Sequence, residues 1–219
     1  MKLISVNVGL PREVDYHGIQ VTTSIFKQSI GATRVMARTL DLDGDRQADL
    51  TVHGGELKAV YGYPREHYEF WKRQVARDDW QHGMFGENFT TEGLLEKELC
   101  IGDHVAIGSA LLVVAQPRLP CYKLNVRFHD PTMVKRFVES GLSGFYFAVL
   151  REGEVGAGDE IRITQRDPRA VSVWDVARLF VAKENVDQDR DTMERALEIP
   201  ILPHMWREHF MERLSAMQW

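Results

Sequence analysis

The sequence predicts a mainly β protein: a β-barrel-like domain with a few helices over residues 1–166, then a small three-helix C-terminal extension over residues 170–219. Many short apolar runs lie between Gly, Pro and Asp turns, which is typical of a closed or partly closed β-barrel or a sandwich. Helical patterns are few in this part, so alternating βαβ units are not expected. The composition then shifts at Asp167-Pro168-Arg169, which we interpret as a linker.

Alternation and β-branched residues place the predicted strands. In chain order these are Met1 to Val8, Ile19 to Ile25, Thr33 to Leu42, Ala59 to Tyr63, His104 to Ile107, Ala110 to Gln116, Phe145 to Leu150 and Asp159 to Thr164. β-Branched and aromatic side chains fit the pleated, half-buried surface of a sheet. Asp43-Gly44 is a strong turn signal, and Gly108-Ser109 is predicted to join two strands as a hairpin.

Two helices are predicted within the first domain. One begins near Pro64, because proline suits the first turn of a helix, and it carries Tyr68 and Trp71 at helical spacing. We expect that stripe to pack in the core. The other helix follows Asp130-Pro131 and ends at Gly141, a residue that favours the left-handed position after a helix.

Three more helices are predicted in the extension. Ser172 and Asp175 form a capping-box signature before an apolar run. A second helix covers Asp189 to Leu197, and Pro203 opens the third. Helices this short suit a small bundle that packs against the main domain.

Composition restricts the class of protein. The net charge of −5 argues against broad nucleic-acid binding, which needs a basic face. Two cysteines, Cys100 and Cys121, are too few for a disulfide framework or a four-cysteine metal site, so a reducing cytoplasm is the expected compartment. Cys100, between two apolar residues, is expected to be inert. No apolar run approaches the ~18 residues of a membrane span, so no membrane partner is expected.

The segment from Gln116 to Leu124 carries the strongest chemical signal. Its two prolines end a strand and stiffen a loop, because proline fixes φ and removes an N–H. Cys121 is therefore predicted on a rigid loop with Arg118 and Lys123 nearby. Neighbouring cations stabilise a thiolate, the form that attacks electrophiles or binds metals. A buried structural cysteine is the alternative, since cysteine is among the most buried residue types.

Three other polar patches follow predicted strands. His53 is a candidate hydrogen-bond donor, proton relay or metal ligand, and the adjacent Gly54 and Gly55 allow a ligand to approach the backbone. Asn88 offers an amide suited to the edge of a heteroaromatic ring, and Lys27 could meet a phosphate. Each of these has a plain alternative as a turn or a solvated side chain.

A single thiolate cannot hold a metal alone, and neither a second nearby cysteine nor a His-x-x-x-His pair accompanies Cys121. If Cys121 binds a metal, the other ligands must come from a cofactor. A molybdenum-bearing dithiolene suits this role, because thiolates are soft ligands.

These segments in this order resemble the MOSC domain, the family named after the C-terminal domain of molybdenum cofactor sulfurase. The segments that carry the resemblance are Val52 to Gly55, Ala59 to Tyr68, Phe85 to Asn88, Ile101 to Asp103 and Gln116 to Leu124. The resemblance covers roughly residues 18–165, and its order is similar to that of the stand-alone bacterial YiiM branch. The tail from about residue 170 also resembles the three-helix extension of that branch.

The resemblance implies a β-barrel-like domain that binds the molybdenum cofactor (molybdopterin), with Cys121 as the metal ligand. It implies reduction of N-hydroxylated nucleobases, hydroxylamines or amidoximes, with electrons from a separate flavin or iron–sulfur protein. His53 would be the second catalytic residue, as a proton donor. The matching cofactor-binding positions are Lys27, His53, Gly54, Gly55, Asn88, Arg118 and Lys123.

Two other hypotheses stay open at this point. The chain could be a sulfur carrier or transfer module that holds a Cys121 persulfide, because that chemistry also uses a reactive thiolate. It could instead be a non-catalytic β domain whose helical tail docks a partner. A homodimer would suit an exposed helical tail.

Overall fold

The structure is a computed structural model that describes residues 1–48, 54–182 and 187–217, with the backbone only at 187 and 188. Twelve strands occur in this part of the chain: β1 Lys2–Val8, β2 Arg12–Tyr16, β3 Ile19–Thr23, β4 Gln28–Ser29, β5 Val35–Ala37, β6 Val60–Pro64, β7 Phe89–Glu92, β8 His104–Ile107, β9 Ala110–Pro117, β10 Phe145–Arg151, β11 Gly153–Val155 and β12 Ile161–Gln165. The described helices are α1 Glu66–Gln74, α2 Lys123–Phe128, α3 Met133–Ser140, α4 Val173–Val181, α5 Asp187–Leu197 and α6 His204–Ala216.

Eight strands form one mixed sheet in the order β12-β8-β9-β10-β6-β7-β1-β4. Within this sheet β6 and β7 are parallel, and the other pairs are antiparallel. The predicted hairpin is confirmed, since β8 pairs with β9 from His104↔Val113 to Ile107↔Ala110. Two further pairs, β2 with β3 and β5 with β11, lie outside this sheet.

Within the described residues, the main sheet does not close into a complete barrel. Near residue 160 the chain meets the start of β1 through a bridge between Lys2 and Glu160. The N–H of Leu3 donates to the carbonyl of Asp159 at 2.9 Å, and the N–H of Ile161 donates to that of Met1 at 2.9 Å. The predicted mainly β class is confirmed by these strands. A full barrel is not confirmed, because this contact covers only a few residues.

Two apolar cores hold the chain together. The larger core contains sheet residues such as Leu3, Val114 and Phe147 together with Val176 and Trp206 of the extension. The second core is mostly aromatic and lies between β6 and helices α1, α2 and α3. Tyr68 and Trp71 are buried in this second core, as their helical spacing predicts.

The three-helix extension is confirmed, and it packs on strand β9. The indole Nε1 of Trp206 in α6 donates to Oε1 of Gln116 at 3.0 Å, and Trp206 is fully buried. Gln116 in turn donates to the carbonyl of Leu57 at 3.1 Å. The extension therefore contacts the strand that leads into the Cys121 segment. The domain boundary between residues 166 and 170 stays a prediction.

Helix α2 was not predicted from the sequence. It is only six residues long, and it begins two residues after Cys121. Its buried Leu124 and Phe128 belong to the aromatic core, so tertiary packing holds a helix whose sequence carries little helical signal. Among the described helices none is long and apolar enough to cross a membrane.

The capping box of α4 gives a test of this fold. Ser172 Oγ accepts from the Asp175 N–H at 3.0 Å and donates to its carboxylate at 2.6 Å. We expect Ser172→Ala to lower the free energy of unfolding by about 1 kcal/mol, the usual cost of losing such a cap. Because the two side chains act together, Ser172→Ala/Asp175→Ala should cost clearly less than the sum of the single variants in urea unfolding. Additive costs would contradict the reciprocal cap.

Candidate functional site

Six of the predicted site residues line one cleft: Lys27, Gly54, Asn88, Arg118, Cys121 and Lys123. Gly55 is adjacent in the chain but is not among the residues that line this cleft. His53 lies outside the described residues, so its predicted role stays a prediction. The cleft thus brings together side chains that are up to about a hundred positions apart, as only a tertiary site can.

Strand β9 and helix α2 position Cys121 between them. Pro117 still belongs to β9, opposite Phe145 of β10, so the ladder continues to the first proline and ends after it. Cys121 is half-buried, and its carbonyl accepts from the Leu124 N–H at 2.9 Å in the first turn of α2. Lys123 opens this helix and lines the same cleft. The thiol is therefore held between two regular elements.

Arg118 is a buried cation without a carboxylate partner among the described residues. It is only 7% exposed. Its guanidinium lies over the rings of Tyr61 and Phe137, at 4.8 and 5.2 Å from their centroids, and Nη1 contacts the Tyr61 hydroxyl at 3.4 Å. Burial alone lowers its pKa, but Tyr61, Tyr146 and Cys121 together raise it above the ordinary value. A charged guanidinium held in this way favours an anionic ligand in the cleft.

Lys27 is not an isolated phosphate-binding cation. Its ammonium pairs with the buried carboxylate of Asp45, which also accepts from the Gly9 N–H at 2.8 Å and from Asn88 Nδ2 at 2.8 Å. Both charged side chains are largely buried. The charge of Lys27 is thus already compensated, and Asp45 links three segments in the wall of the cleft.

Asn88 serves mainly the fold. Its Oδ1 accepts from the Tyr61 N–H at 3.1 Å, and its Nδ2 donates to Asp45 and to the carbonyl of Asn7. An amide has two N–H donors, and both are engaged. The sequence-based expectation that Asn88 offers this amide to a ring edge therefore lacks a donor that is available.

Glu87 fixes the loop that carries Asn88. It is fully buried and accepts from the Gly83 N–H at 2.8 Å, the Phe85 N–H at 3.1 Å, the Thr90 hydroxyl at 2.9 Å and the Tyr68 hydroxyl. Burial raises its pKa, while these donors oppose the shift. The role of Glu87 is therefore to hold the loop, which is why the cleft can include Gly86 and Asn88 together.

The two glycines after His53 are explained by backbone conformation. Gly54 has φ of +106° and Gly55 has φ of +84°, values that residues with a Cβ rarely adopt. A Cβ on Gly55 would meet no atom within 4 Å. Glycine is thus needed at position 55 for the turn and not for space.

Several cleft residues were not predicted as site residues from the sequence, among them Ser24, Asp45, Lys58, Tyr61 and Tyr146. Burial raises the pKa of both Tyr61 and Tyr146, so their hydroxyls stay protonated. Burial lowers the pKa of Lys58. Ser24 Oγ is buried and has no hydrogen-bond partner among the described residues. Two of these five residues had a signal in the sequence: Tyr61 lies within a run that carries the family resemblance, and Ser24 lies in the looser match that ends at Lys27.

The charges of the cleft favour an anion. Four cationic side chains line it (Lys27, Lys58, Arg118 and Lys123), whereas Asp45 is the one carboxylate among its described lining residues. Cys121 adds a soft sulfur ligand next to them. Within the described residues there is no group of three or more His, Cys, Asp or Glu side chains that could hold a metal ion. A metal at Cys121 would therefore need ligands from a bound molecule.

Fold and cleft together define a mixed β-sheet protein with a helical extension and a thiol in a cationic cleft. The family comparisons agree with this description. The MOSC domain matches residues 49–162, and the YiiM-like 3-alpha helix domain matches residues 172–216. The chain therefore belongs to the MOSC domain family, with a YiiM-like three-helix extension.

Relatives and solved structures share this organisation. The Bacillus subtilis protein YflK is 37% identical over 96% of this chain and 93% of its own length. The crystal structure of YiiM from Geobacillus stearothermophilus superposes with a TM-score of 0.79 at 32% identity, and the match covers 97% of this chain and 98% of that one. A Gibberella moniliformis protein named reductase is 34% identical over 76% of this chain, but the match covers only 30% of the reductase.

The buried ion pair between Lys27 and Asp45 leads to a prediction about stability. Asp45→Asn would leave Lys27 buried without its counter-charge, so we expect a loss of about 3–5 kcal/mol in unfolding free energy. Asp43→Asn is the matched control, because Asp43 lies two residues away but pairs with Arg38 at the exposed surface. That variant should unfold close to wild type. Equal urea midpoints for the two variants would refute the role of Asp45.

The two cysteines differ in environment, and this can be measured by alkylation. Burial, together with the nearby Asp103 carboxylate, raises the pKa of Cys100 to about 11. Its thiolate fraction should therefore be very small at pH 8 and rise about tenfold per pH unit up to that pKa. We expect iodoacetamide to modify Cys100 slowly in a Cys121→Ser variant, with a rate that follows this slope. A fast, pH-independent rate by mass spectrometry would contradict the assignment of Cys100 as inert.

Proposed function

We propose that this protein binds the molybdenum cofactor in its cleft and reduces N-hydroxylated compounds, with Cys121 as the protein ligand to molybdenum. The observation that carries the proposal is the position of the Cys121 thiol in a cleft lined by Lys27, Lys58, Arg118 and Lys123. Membership of the MOSC family and the similarity to a protein named reductase support an oxidoreductase. The identity of the cofactor and the class of substrate are parts of the proposal that these similarities do not show.

The residues present fit such a cofactor by their chemistry. A thiolate is a soft ligand that suits a metal already bound by dithiolene sulfurs. Lys58, Lys123 and Arg118 can neutralise a phosphate and the negative charge of the dithiolene. Ser24 adds a buried hydroxyl without a partner among the described residues, which a polar group of the cofactor could satisfy. Lys27 would contribute less, because Asp45 already compensates its charge.

When bound, the cofactor supplies a two-electron redox centre that accepts the oxygen of an N–O bond. The chain itself holds the groups around that centre. The rigid connection between β9 and α2 would fix the sulfur of Cys121, and Arg118 is held in place by the rings of Tyr61 and Phe137. Tyr146 lines the cleft with a hydroxyl that stays protonated, because burial raises its pKa.

Protons and electrons must reach the site from outside these groups. Conversion of R–NH–OH to amine and water consumes two protons and two electrons. His53, the sequence-based candidate for the proton donor, is adjacent in the chain to the cleft residue Gly54. The electrons would come from a separate flavin or iron–sulfur protein, since the two cysteines of this chain are too few to hold a cluster.

The test is the molybdenum and pterin content of gently purified protein, together with its reduction of an N-hydroxylated purine by a flavoprotein donor. We expect wild type to carry both and Cys121→Ser to lose metal and activity by at least about 10–100-fold, the loss typical of removing even a hydrogen-bond partner of a metal ligand. Cys100→Ser is the matched control, because it removes the other thiol outside the cleft, and it should behave like wild type.

Sulfur transfer is the alternative that the same variants distinguish. If Cys121 carries a persulfide, cyanide should release thiocyanate from wild type and Cys100→Ser but not from Cys121→Ser. A positive result, with no metal or pterin even after incubation with the cofactor, would overturn the reductase proposal. Normal reductase activity and metal content in Cys121→Ser would overturn the assignment of Cys121 as the molybdenum ligand.

A further inference from the structure

Three arginines gather beside the cleft around two phenylalanine rings. Arg12 of β2 and Arg127 of α2 lie over the ring of Phe26, with guanidinium carbons 3.9 and 4.9 Å from its centroid. Arg77, which follows α1, lies 5.1 Å from the ring centroid of Phe128. We refer to Arg12, Arg77 and Arg127 as the arginine cluster. They come from three separate segments of the chain.

Two of these arginines have buried donors without acceptors. Arg127 is 6% exposed, and its Nε is buried with no hydrogen-bond partner among the described residues. The Nη1 of Arg77 is likewise buried and unsatisfied, although its Nε and Nη2 donate to Asp79 at 2.6 and 2.7 Å. Buried polar groups are nearly always hydrogen-bonded, so unsatisfied donors on two neighbouring guanidinium groups require an explanation.

The positive charge of the cluster is also only partly balanced by negative charge. Among the described residues, Asp79 is the one carboxylate that forms an ion pair with the cluster, through Arg77, so three positive charges face one negative charge. Arg127 makes no ion pair with any described residue. Burial, and then the charge of Arg77, lowers the pKa of Arg127, which reflects the cost of holding these cations together. A group with two negative charges would balance the cluster.

The cluster adjoins the cleft through two shared elements. Phe26 lies between Ile25 and Lys27, both of which line the cleft. Arg127 follows Lys123 by four residues, one turn along α2, and Lys123 lines the cleft as well. The segments that carry Phe26 and Arg127 thus also supply residues to the cleft.

We propose that the arginine cluster is a binding site for a phosphate group. Guanidinium groups match phosphate because their planar N–H donors bind its oxygens in pairs, and a phosphate carries the two negative charges that the cluster lacks. The phosphate could be free or part of a nucleotide that extends from the cleft. The inference does not depend on the chemistry of Cys121.

Calorimetric titration of the full chain with inorganic phosphate, AMP and adenosine tests this site at constant ionic strength. We expect phosphate and AMP to bind wild type, and Arg127→Gln and Arg12→Ala to weaken both at least tenfold. Arg162→Ala, which alters an exposed arginine of β12, is the control and should bind like wild type. Arg12 is exposed, so Arg12→Ala keeps the test valid even if Arg127→Gln unfolds.

The cleft could also attract phosphate, so a Lys58→Ala/Lys123→Ala variant separates the two places. If this variant and Cys121→Ala still bind phosphate, the result would support a phosphate site at the arginine cluster. Loss of phosphate binding in Lys58→Ala/Lys123→Ala, with full binding in Arg12→Ala and Arg127→Gln, would place the phosphate in the cleft and overturn the proposal. Absence of phosphate binding by wild type would overturn it as well. Tighter binding of AMP than of phosphate, with none of adenosine, would identify an organic phosphate; equal affinities would identify the free ion.

Discussion

The cleft depends on the carboxylate of Asp45. This one buried group accepts from the Lys27 ammonium, the Asn88 amide and the Gly9 backbone, and so joins the ends of β1 and β7 to the segment before β4. A buried charge is tolerated only when it is paired and hydrogen-bonded, and here both conditions hold. The interaction engages Lys27 and Asn88 within the fold, whereas Arg118 lines the cleft without a carboxylate partner among the described residues.

The residues of the site fall into two groups, those whose polar atoms are engaged within the fold and those whose polar atoms are not. Asn88 donates to Asp45, and Glu87 accepts from the backbone of the adjacent loop at Gly83 and Phe85, so these polar groups are engaged within the fold. In the second group hydrogen-bonding or charge is incomplete, notably at Arg118 and the Ser24 hydroxyl. A buried polar group without a hydrogen-bond partner is costly in a folded protein, so such groups are better indicators of a ligand than polar patches in the sequence.

Local sequence signals predicted those features whose cause is local. The β8–β9 hairpin follows from its Gly108-Ser109 turn, and the α4 cap follows from Ser172 and Asp175. Helix α2 could not be predicted, because packing of Leu124 and Phe128 in the aromatic core stabilises it. Placement of Cys121 near Arg118 and Lys123 was predictable from adjacency. Asp45 was not, since its role depends on partners 18 and 43 residues away.

The hydrogen bond between Trp206 and Gln116 has a consequence for cooperativity. Gln116 immediately precedes the prolines of the Cys121 segment, and Trp206 belongs to the last helix of the chain. Trp206 belongs to the larger apolar core, and Gln116 lies in β9, a strand of the same core. Unfolding of the extension would therefore expose that core and release β9, the strand that precedes Cys121. The chain should therefore lose its cleft and its described C-terminal helices in a single transition, so Cys121 keeps its position in the cleft only while α6 is folded.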